Sequence, residues 1–150
     1  MGLFGKSLKK QLIDLALLKL KEGDQKNFDL YLNELSENKS LNEEKIKIFK
    51  DHWKAILTML ILHVYLRLGT EAKVISTGEF SDIESAIRIE LGSVEVGILL
   101  YDYQNKNLDP SETISKSCFD GKLSQSSKDK IANITQEIYQ SLEKSVQVLI

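Results

Sequence analysis

The chain has 150 residues, of which 42% are hydrophobic and 28% charged, the size and composition of one ordinary globular domain. Its formal net charge is −2, so it lacks the basic excess that attracts phosphate backbones, and nucleic acid is not an expected partner. The single cysteine, Cys118, cannot form an internal disulfide, which favours a reducing compartment and a cytoplasmic location. No linker or repeat divides the sequence, so one helical domain over residues 1–150 is expected.

Helical periodicity begins near the N-terminus. The first helix is predicted over residues 7–22 and is expected to end at Gly23. Asp24 is expected to cap a second helix over residues 25–37, which would pair with the first as an antiparallel hairpin. The apolar face of this second helix consists of Phe28, Leu32 and Leu35.

Residues 40–69 are the strongest architectural signal, because they predict one long helix with apolar residues on two opposite sides. Ser40, with Glu43 three residues later, is expected to cap its start, and Gly69 is expected to end it. One apolar seam consists of Ile46, Phe49, Trp53, Ile56, Leu60 and Val64, and the opposite seam of Ile48, Ala55, Met59, Leu62 and Leu66. A helix that is apolar on both sides needs neighbours on both. The sequence therefore predicts an all-α bundle of five to six helices around this central helix.

Residues 83–101 allow two structures. A capping box from Ser81 to Glu84, followed by apolar residues at helical spacing, favours a helix. The same stretch also alternates apolar and polar residues on either side of Gly92, which is the pattern of a β-hairpin over residues 86–101. The helix is the preferred interpretation, and an α+β fold with that hairpin is the alternative.

Two further helices are predicted towards the C-terminus. Asp109 and Pro110 indicate the start of a short helix that ends near Gly121. The last helix is expected to begin at Ser126, with Asp129 in the capping-box position. Its apolar face consists of Ile131, Ile134, Ile138, Leu142, Val146 and Leu149. Because the chain finishes in three apolar residues, its end is expected to dock on the fold or on a second copy, and a homodimer through the central or the last helix is predicted.

No set of residues has the spacing of a catalytic or metal site, so neither a cofactor nor a metal is expected. His52 and His63, the only histidines, lie eleven residues apart, which is about 16 Å along a helix, so they cannot share a metal ion. His63 lies within the longest apolar run and is expected to be a core residue. Cys118 has no cation near it in sequence that would stabilise a thiolate.

Two clusters are candidates for the recognition of a partner. One combines aromatic rings with a carboxylate at a predicted helix end, and it consists of Tyr101, Asp102 and Tyr103. The other makes the first half of the central helix basic, and it consists of Lys47, Lys50 and Lys54. Acidic residues are interleaved with these lysines, which favours a solvated helix face over an anion-binding stripe.

The sequence therefore predicts a non-enzymatic protein–protein interaction module: a small adaptor, regulator or inhibitor of a partner protein that also self-associates. The alternative is a peripheral membrane protein that docks through residues 2–21, where Leu3 and Phe4 stand among lysines. A small enzyme that uses only carboxylates and tyrosines is the third possibility, because such residues need only meet in space.

Overall fold

The computed structural model describes residues 6–23, 28–29 and 42–150. Within these ranges 84% of the residues are helical, in six α-helices and without a strand. The helices are α1 (Leu8–Glu22), α2 (Glu43–Tyr65), α3 (Thr77–Leu91), α4 (Val94–Asn105), α5 (Pro110–Cys118) and α6 (Gln125–Leu149). The predicted all-α fold is confirmed for this part of the chain. The helix predicted over residues 25–37 lies outside the described residues, except for Phe28 and Asp29, which are helical.

Helix α2 is the centre of the bundle and contacts each of the other five α-helices. Both predicted seams supply its buried residues, since Trp53 and Ile56 of one seam and Ala55 and Leu62 of the other are almost fully covered. The helix begins after Asn42, whose side chain accepts a hydrogen bond from the Lys45 backbone N–H at 2.9 Å. Ser40, the predicted N-cap, lies outside the described residues, and Asn42 occupies the N-cap position of the described helix.

The predicted stop at Gly69 is wrong, because the chain stays helical through a π-helical segment, Leu66–Glu71. A Cβ atom at Gly69 would lie 2.9 Å from the Ile75 side chain, so glycine is needed here for close packing. The chain turns only after this segment, where Lys73 has a φ of 61° and the Val74 N–H donates to the Gly69 carbonyl at 2.8 Å.

Residues 83–101 form neither one helix nor a hairpin, because α3 and α4 meet at a break. Gly92 has a φ of 61°, a left-handed conformation that ends α3, and Ser93 caps α4 by accepting from the Val96 N–H. The capping box of α3 joins Ser76 to Glu79, so the predicted box five residues later is not the start of the helix. The hairpin predicted over residues 86–101 is wrong.

The start of α5 follows the prediction, because Asp109 accepts from the Ser111 N–H at 3.0 Å and Pro110 is the first helical residue. Helix α6 is capped by Ser124 rather than by Ser126. Its predicted face is buried at its core positions, Ile131, Leu142 and Val146.

Two buried hydrogen bonds join α2 to α1. The Trp53 indole N–H donates to the Gly23 carbonyl at 2.8 Å, and the Tyr65 hydroxyl donates to the Leu12 carbonyl at 2.6 Å. Burial raises the pKa of Tyr65, so this hydroxyl keeps its proton. A Cβ atom at Gly23 would collide with the Leu57 side chain, so the end of α1 lies directly against α2.

Candidate protein-interaction surface

Helix α4 is apolar on two opposite sides. Val96, Leu100 and Tyr103 are buried and form its core side. On the outward side Val94 is 76% exposed, Ile98 57% and Tyr101 58%. A surface helix normally carries polar residues outwards, and a helix that is apolar all round is normally covered all round. Among the described residues, the outward side of α4 is therefore the surface that most resembles an uncovered interface.

Four residues on that side have the spacing of a helix-packing hole. They stand at positions i, i+3, i+4 and i+7 of α4, namely Val94, Gly97, Ile98 and Tyr101, and are called the α4 face below. Four residues with this spacing surround the hole into which a side chain of a facing helix inserts. In the described part of the chain, nothing lies within 4 Å of a Cβ atom built at Gly97. The α4 face is thus a shallow notch bordered by three apolar side chains.

A groove continues from the α4 face to α2 and has a volume of about 330 Å³. It is lined by Ile48, Asp51, His52, Glu95, Ile98 and Leu99, and is called the α2–α4 groove below. Ile98 belongs to both, so a helix packed on the α4 face would have room beside it for apolar side chains.

The charges of this region lie beside the α4 face, where two lysines lie near three carboxylates. Hydrogen bonds from its own backbone N–H and from the Ser93 hydroxyl hold the pKa of Glu95 below its ordinary value, with a smaller contribution from the charge of Lys47. Lys47 also lies 3.6 Å from the Asp51 carboxylate, and Lys106 lies 3.3 Å from that of Asp102. The α4 face itself contains no ionisable group other than the Tyr101 phenol.

The inner end of the groove is closed by a buried contact between α2 and α4. His52 Nδ1 lies 2.8 Å from the Tyr103 hydroxyl, and the two groups share a hydrogen bond. Burial lowers the pKa of His52, and the charge of Asp51 opposes that shift only in part. The hydrogen bond fixes the rotation of α4 about its axis, which in turn fixes the residues that face outwards.

Sequence reasoning identified the wrong histidine as the core residue. His63 is exposed, and its ring packs edge-to-face on Tyr139 with centroids 5.6 Å apart. His52 is the buried histidine. The residues of a continuous apolar run lie on every side of a helix. The run therefore does not show whether one of its side chains points to the core.

The three predicted residues at the end of α4 point in different directions. Tyr101 belongs to the α4 face, Asp102 is half-buried beside it, and Tyr103 is only 2% exposed. Successive helical residues are about 100° apart, so three in a row cannot share one surface. The signal that sequence reasoning missed is the spacing of Val94 and Ile98 relative to Tyr101, which places these three side chains together.

The three predicted lysines share a stripe of α2 but have different neighbours. Lys47 pairs with Asp51, which lines the α2–α4 groove, and the Lys50 ammonium lies 5.8 Å from the centre of the Phe28 ring. Lys54 lines a separate cavity of about 400 Å³, together with Lys21 and Glu90. The structure does not bring the three ammonium groups into one anion-binding site.

A third cavity, of about 310 Å³, lies where α2, α3 and α4 meet, and it contains His63 and Glu84 above an apolar floor. Cys118 is buried elsewhere, and burial raises its pKa to about 11, which keeps the thiol protonated and unreactive. Among the described residues no group of His, Cys, Asp or Glu side chains could hold a metal ion.

The comparisons with known proteins add no relative. No protein-family model, curated protein or solved structure matches this chain.

Proposed function

We propose that this protein is a non-enzymatic protein–protein interaction module that binds an α-helix through the α4 face and the α2–α4 groove. The observation that supports the proposal is the exposure of Val94, Ile98 and Tyr101 on one side of a helix whose other side is buried. Single exposed apolar residues are normal on protein surfaces, whereas a contiguous patch marks an interaction site.

The size of the patch indicates the strength of the interaction. Three side chains exposed to this extent offer on the order of 300 Å² of apolar surface. At about 25 cal/mol per Å², their burial would contribute roughly 7 kcal/mol, against an association cost of about 4–15 kcal/mol. Because the gain and the cost are of similar size, the α4 face needs the additional contacts of the α2–α4 groove to hold a partner. The resulting interaction is expected to be reversible. A small adaptor, regulator or inhibitor makes contacts of this kind.

Self-association and a cytoplasmic location belong to the same proposal. An outward apolar helix side is commonly covered by a symmetric pair of chains, and a homodimer is the simplest such assembly. Cys118 is a free and buried thiol, which is consistent with a reducing compartment. No helix in the described part of the chain is long and apolar enough to cross a bilayer.

Docking on a membrane surface through residues 2–21 is the alternative proposal and has less support. The apolar side of α1 packs into the bundle through Leu12, Ala16 and Leu20. Lysines that would contact anionic lipid are also engaged, since Lys6 lies 2.7 Å from Asp14 and Lys9 lies 3.2 Å from Asp82. Membrane docking would therefore have to compete with contacts that hold α1 in the fold.

Affinity capture from the native host with matched variants tests the proposal. Ile98→Asp places a charge at the centre of the α4 face, whereas Ile89→Asp does so at an equally apolar position of α3 that is 79% exposed and outside that face. Both substitutions are at exposed sites, so both variants are expected to fold, which circular dichroism checks. Proteins that wild type and Ile89→Asp retain, but Ile98→Asp loses, would support the proposal. Equal retention by the two variants would contradict it.

A further inference from the structure

We infer that the occupant of the α4 face is α4 of a second copy of this chain, packed antiparallel about a twofold axis that passes between Gly97 and Ile98. The inference rests on the proposed function, because it names the partner of the same surface.

The first support is the self-complementary shape of the α4 face. A twofold axis between Gly97 and Ile98 relates each residue to the one equally far along the helix on the other side. Ile98 then inserts over the partner's Gly97, where a Cβ atom would meet nothing within 4 Å of this chain's described residues. By the same symmetry Val94 packs beside the partner's Tyr101. Ile98 and Gly97 belong to the same patch, so each chain supplies both the inserting side chain and the notch that receives it, as an isologous contact requires.

The second support is the distribution of charge. A symmetric contact brings a patch onto its own copy, so a charge near the axis meets a like charge. The α4 face has none of the four charged residue types. The nearest carboxylates, Glu95 and Asp102, lie to one side, and each has a lysine of its own chain nearby, Lys47 and Lys106 respectively. Two copies can therefore approach along the α4 face without placing a charged side chain at the twofold axis.

The third support is the area available for burial. Two α4 faces of on the order of 300 Å² each give about 600 Å² in total, to which the groove walls Ile48 and Leu99 add a little, so the contact is smaller than the about 1,200 Å² of standard interfaces and belongs to the weak, transient class. A contact of this size is expected to be a weak dimer with a dissociation constant in the micromolar range or above. The test therefore has to cover high concentrations.

Cross-linking of single-cysteine variants tests the axis and the orientation together. Cysteine at position 98 lies one residue from its symmetry mate along the helix, about 1.5 Å, whereas cysteine at position 105 lies fifteen residues away, about 22 Å. A disulfide needs Cα atoms within about 4.4–6.8 Å. The native Cys118 is buried with a raised pKa, so it adds little background. Under mild oxidation, Ile98→Cys is expected to form a covalent dimer and Asn105→Cys is not.

Light scattering after size exclusion, at increasing protein concentration, completes the test. We expect a mass that rises towards the dimer for wild type and a dissociation constant at least tenfold higher for Ile98→Asp, with Val94→Asp as a second variant if the first does not fold. Cross-linking at both positions would indicate parallel pairing and overturn the antiparallel arrangement. A dimer that persists in both charged variants would overturn the inference by placing the contact elsewhere.

A chain that stays monomeric at every concentration and forms no cross-link would also overturn the inference. In that case the affinity capture separates the two ideas. Host proteins lost only by Ile98→Asp would leave the proposed function standing with a different helix on the α4 face. Equal capture by Ile98→Asp and Ile89→Asp would remove the proposed function as well.

Discussion

Replacing Gly97 by alanine is expected to stabilise the monomer while weakening its association. Gly97 lies inside α4, where glycine costs about 1 kcal/mol relative to alanine because its backbone loses more conformational freedom on folding. A Cβ atom at this position would meet nothing within 4 Å among the described residues, so the added methyl group causes no clash within the chain. The free energy of unfolding of the monomer should therefore rise by about 1 kcal/mol.

The same methyl group would fill the notch that the partner's Ile98 occupies in the proposed dimer. Overpacking of a fitted contact costs about 1–3 kcal/mol, and the twofold axis makes the substitution count twice. Taking the lower value at both sites gives about 2 kcal/mol, which corresponds to a dissociation constant roughly thirtyfold higher. Stability and association thus change in opposite directions, which a general loss of structure could not produce.

Urea denaturation at a dilution that keeps the chain monomeric measures the first effect, and sedimentation equilibrium at high concentration measures the second. Gly92→Ala is the matched control, because Gly92 has a φ of 61° and alanine there costs about 1–2 kcal/mol without touching the α4 face. A lower free energy of unfolding for Gly97→Ala would contradict the claim that position 97 has room for a methyl group. A stabilised variant that associates like wild type would refute the α4 contact.

Three further outcomes are expected. Trp53→Ala and Leu60→Ala should each lower the free energy of unfolding by about 2–5 kcal/mol, and shifts below about 0.5 kcal/mol in urea would mean that α2 is not the core. Burial holds the pKa of His52 in the folded protein below its value near 6.5 in the unfolded chain. Neutral His52 therefore contributes its full share of stability above about pH 6.5, and this share is lost as the pH falls towards the folded pKa. His52→Gln should therefore reduce the fall in stability between pH 7 and about 5, where most carboxylates stay ionised, and an unchanged fall would exclude His52 as its source. Cys118 should resist alkylation until urea unfolds the chain, because burial raises its pKa to about 11, and rapid labelling of the folded protein would contradict its burial.

The position of α2 could be predicted from sequence because a helix that is buried on two sides has apolar residues at helical spacing along one continuous segment. The starts of helices were less certain, and α3 shows the reason. Ser76 and Ser81 are each followed three residues later by glutamate, so both could open a capping box. The choice depends on where the chain leaves the π-helical segment and Ile75 packs against Gly69, which is a tertiary contact without a local sequence pattern.

The candidate site was predictable only in part, for a related reason. Tyr101 was named from its residue type and is exposed, whereas Tyr103 was named with it and is buried. An apolar residue on the core side and one on the outward side of α4 repeat at the same spacing, so periodicity alone does not tell which side is covered. The contact between His52 and Tyr103 decides it, and the two residues lie far apart in sequence.

The two-sided character of α4 also separates folding from binding. A helix of 12 residues is marginal in isolation, so α4 depends on the buried side chains that pack against α2. Substitutions on its core side should therefore reduce stability and association together, because they release the helix that carries the surface. Substitutions of the exposed side chains Val94, Ile98 and Tyr101 leave those buried contacts intact and should change association with little effect on stability. This difference makes Ile98 the position at which the proposed function can be removed from an otherwise folded protein.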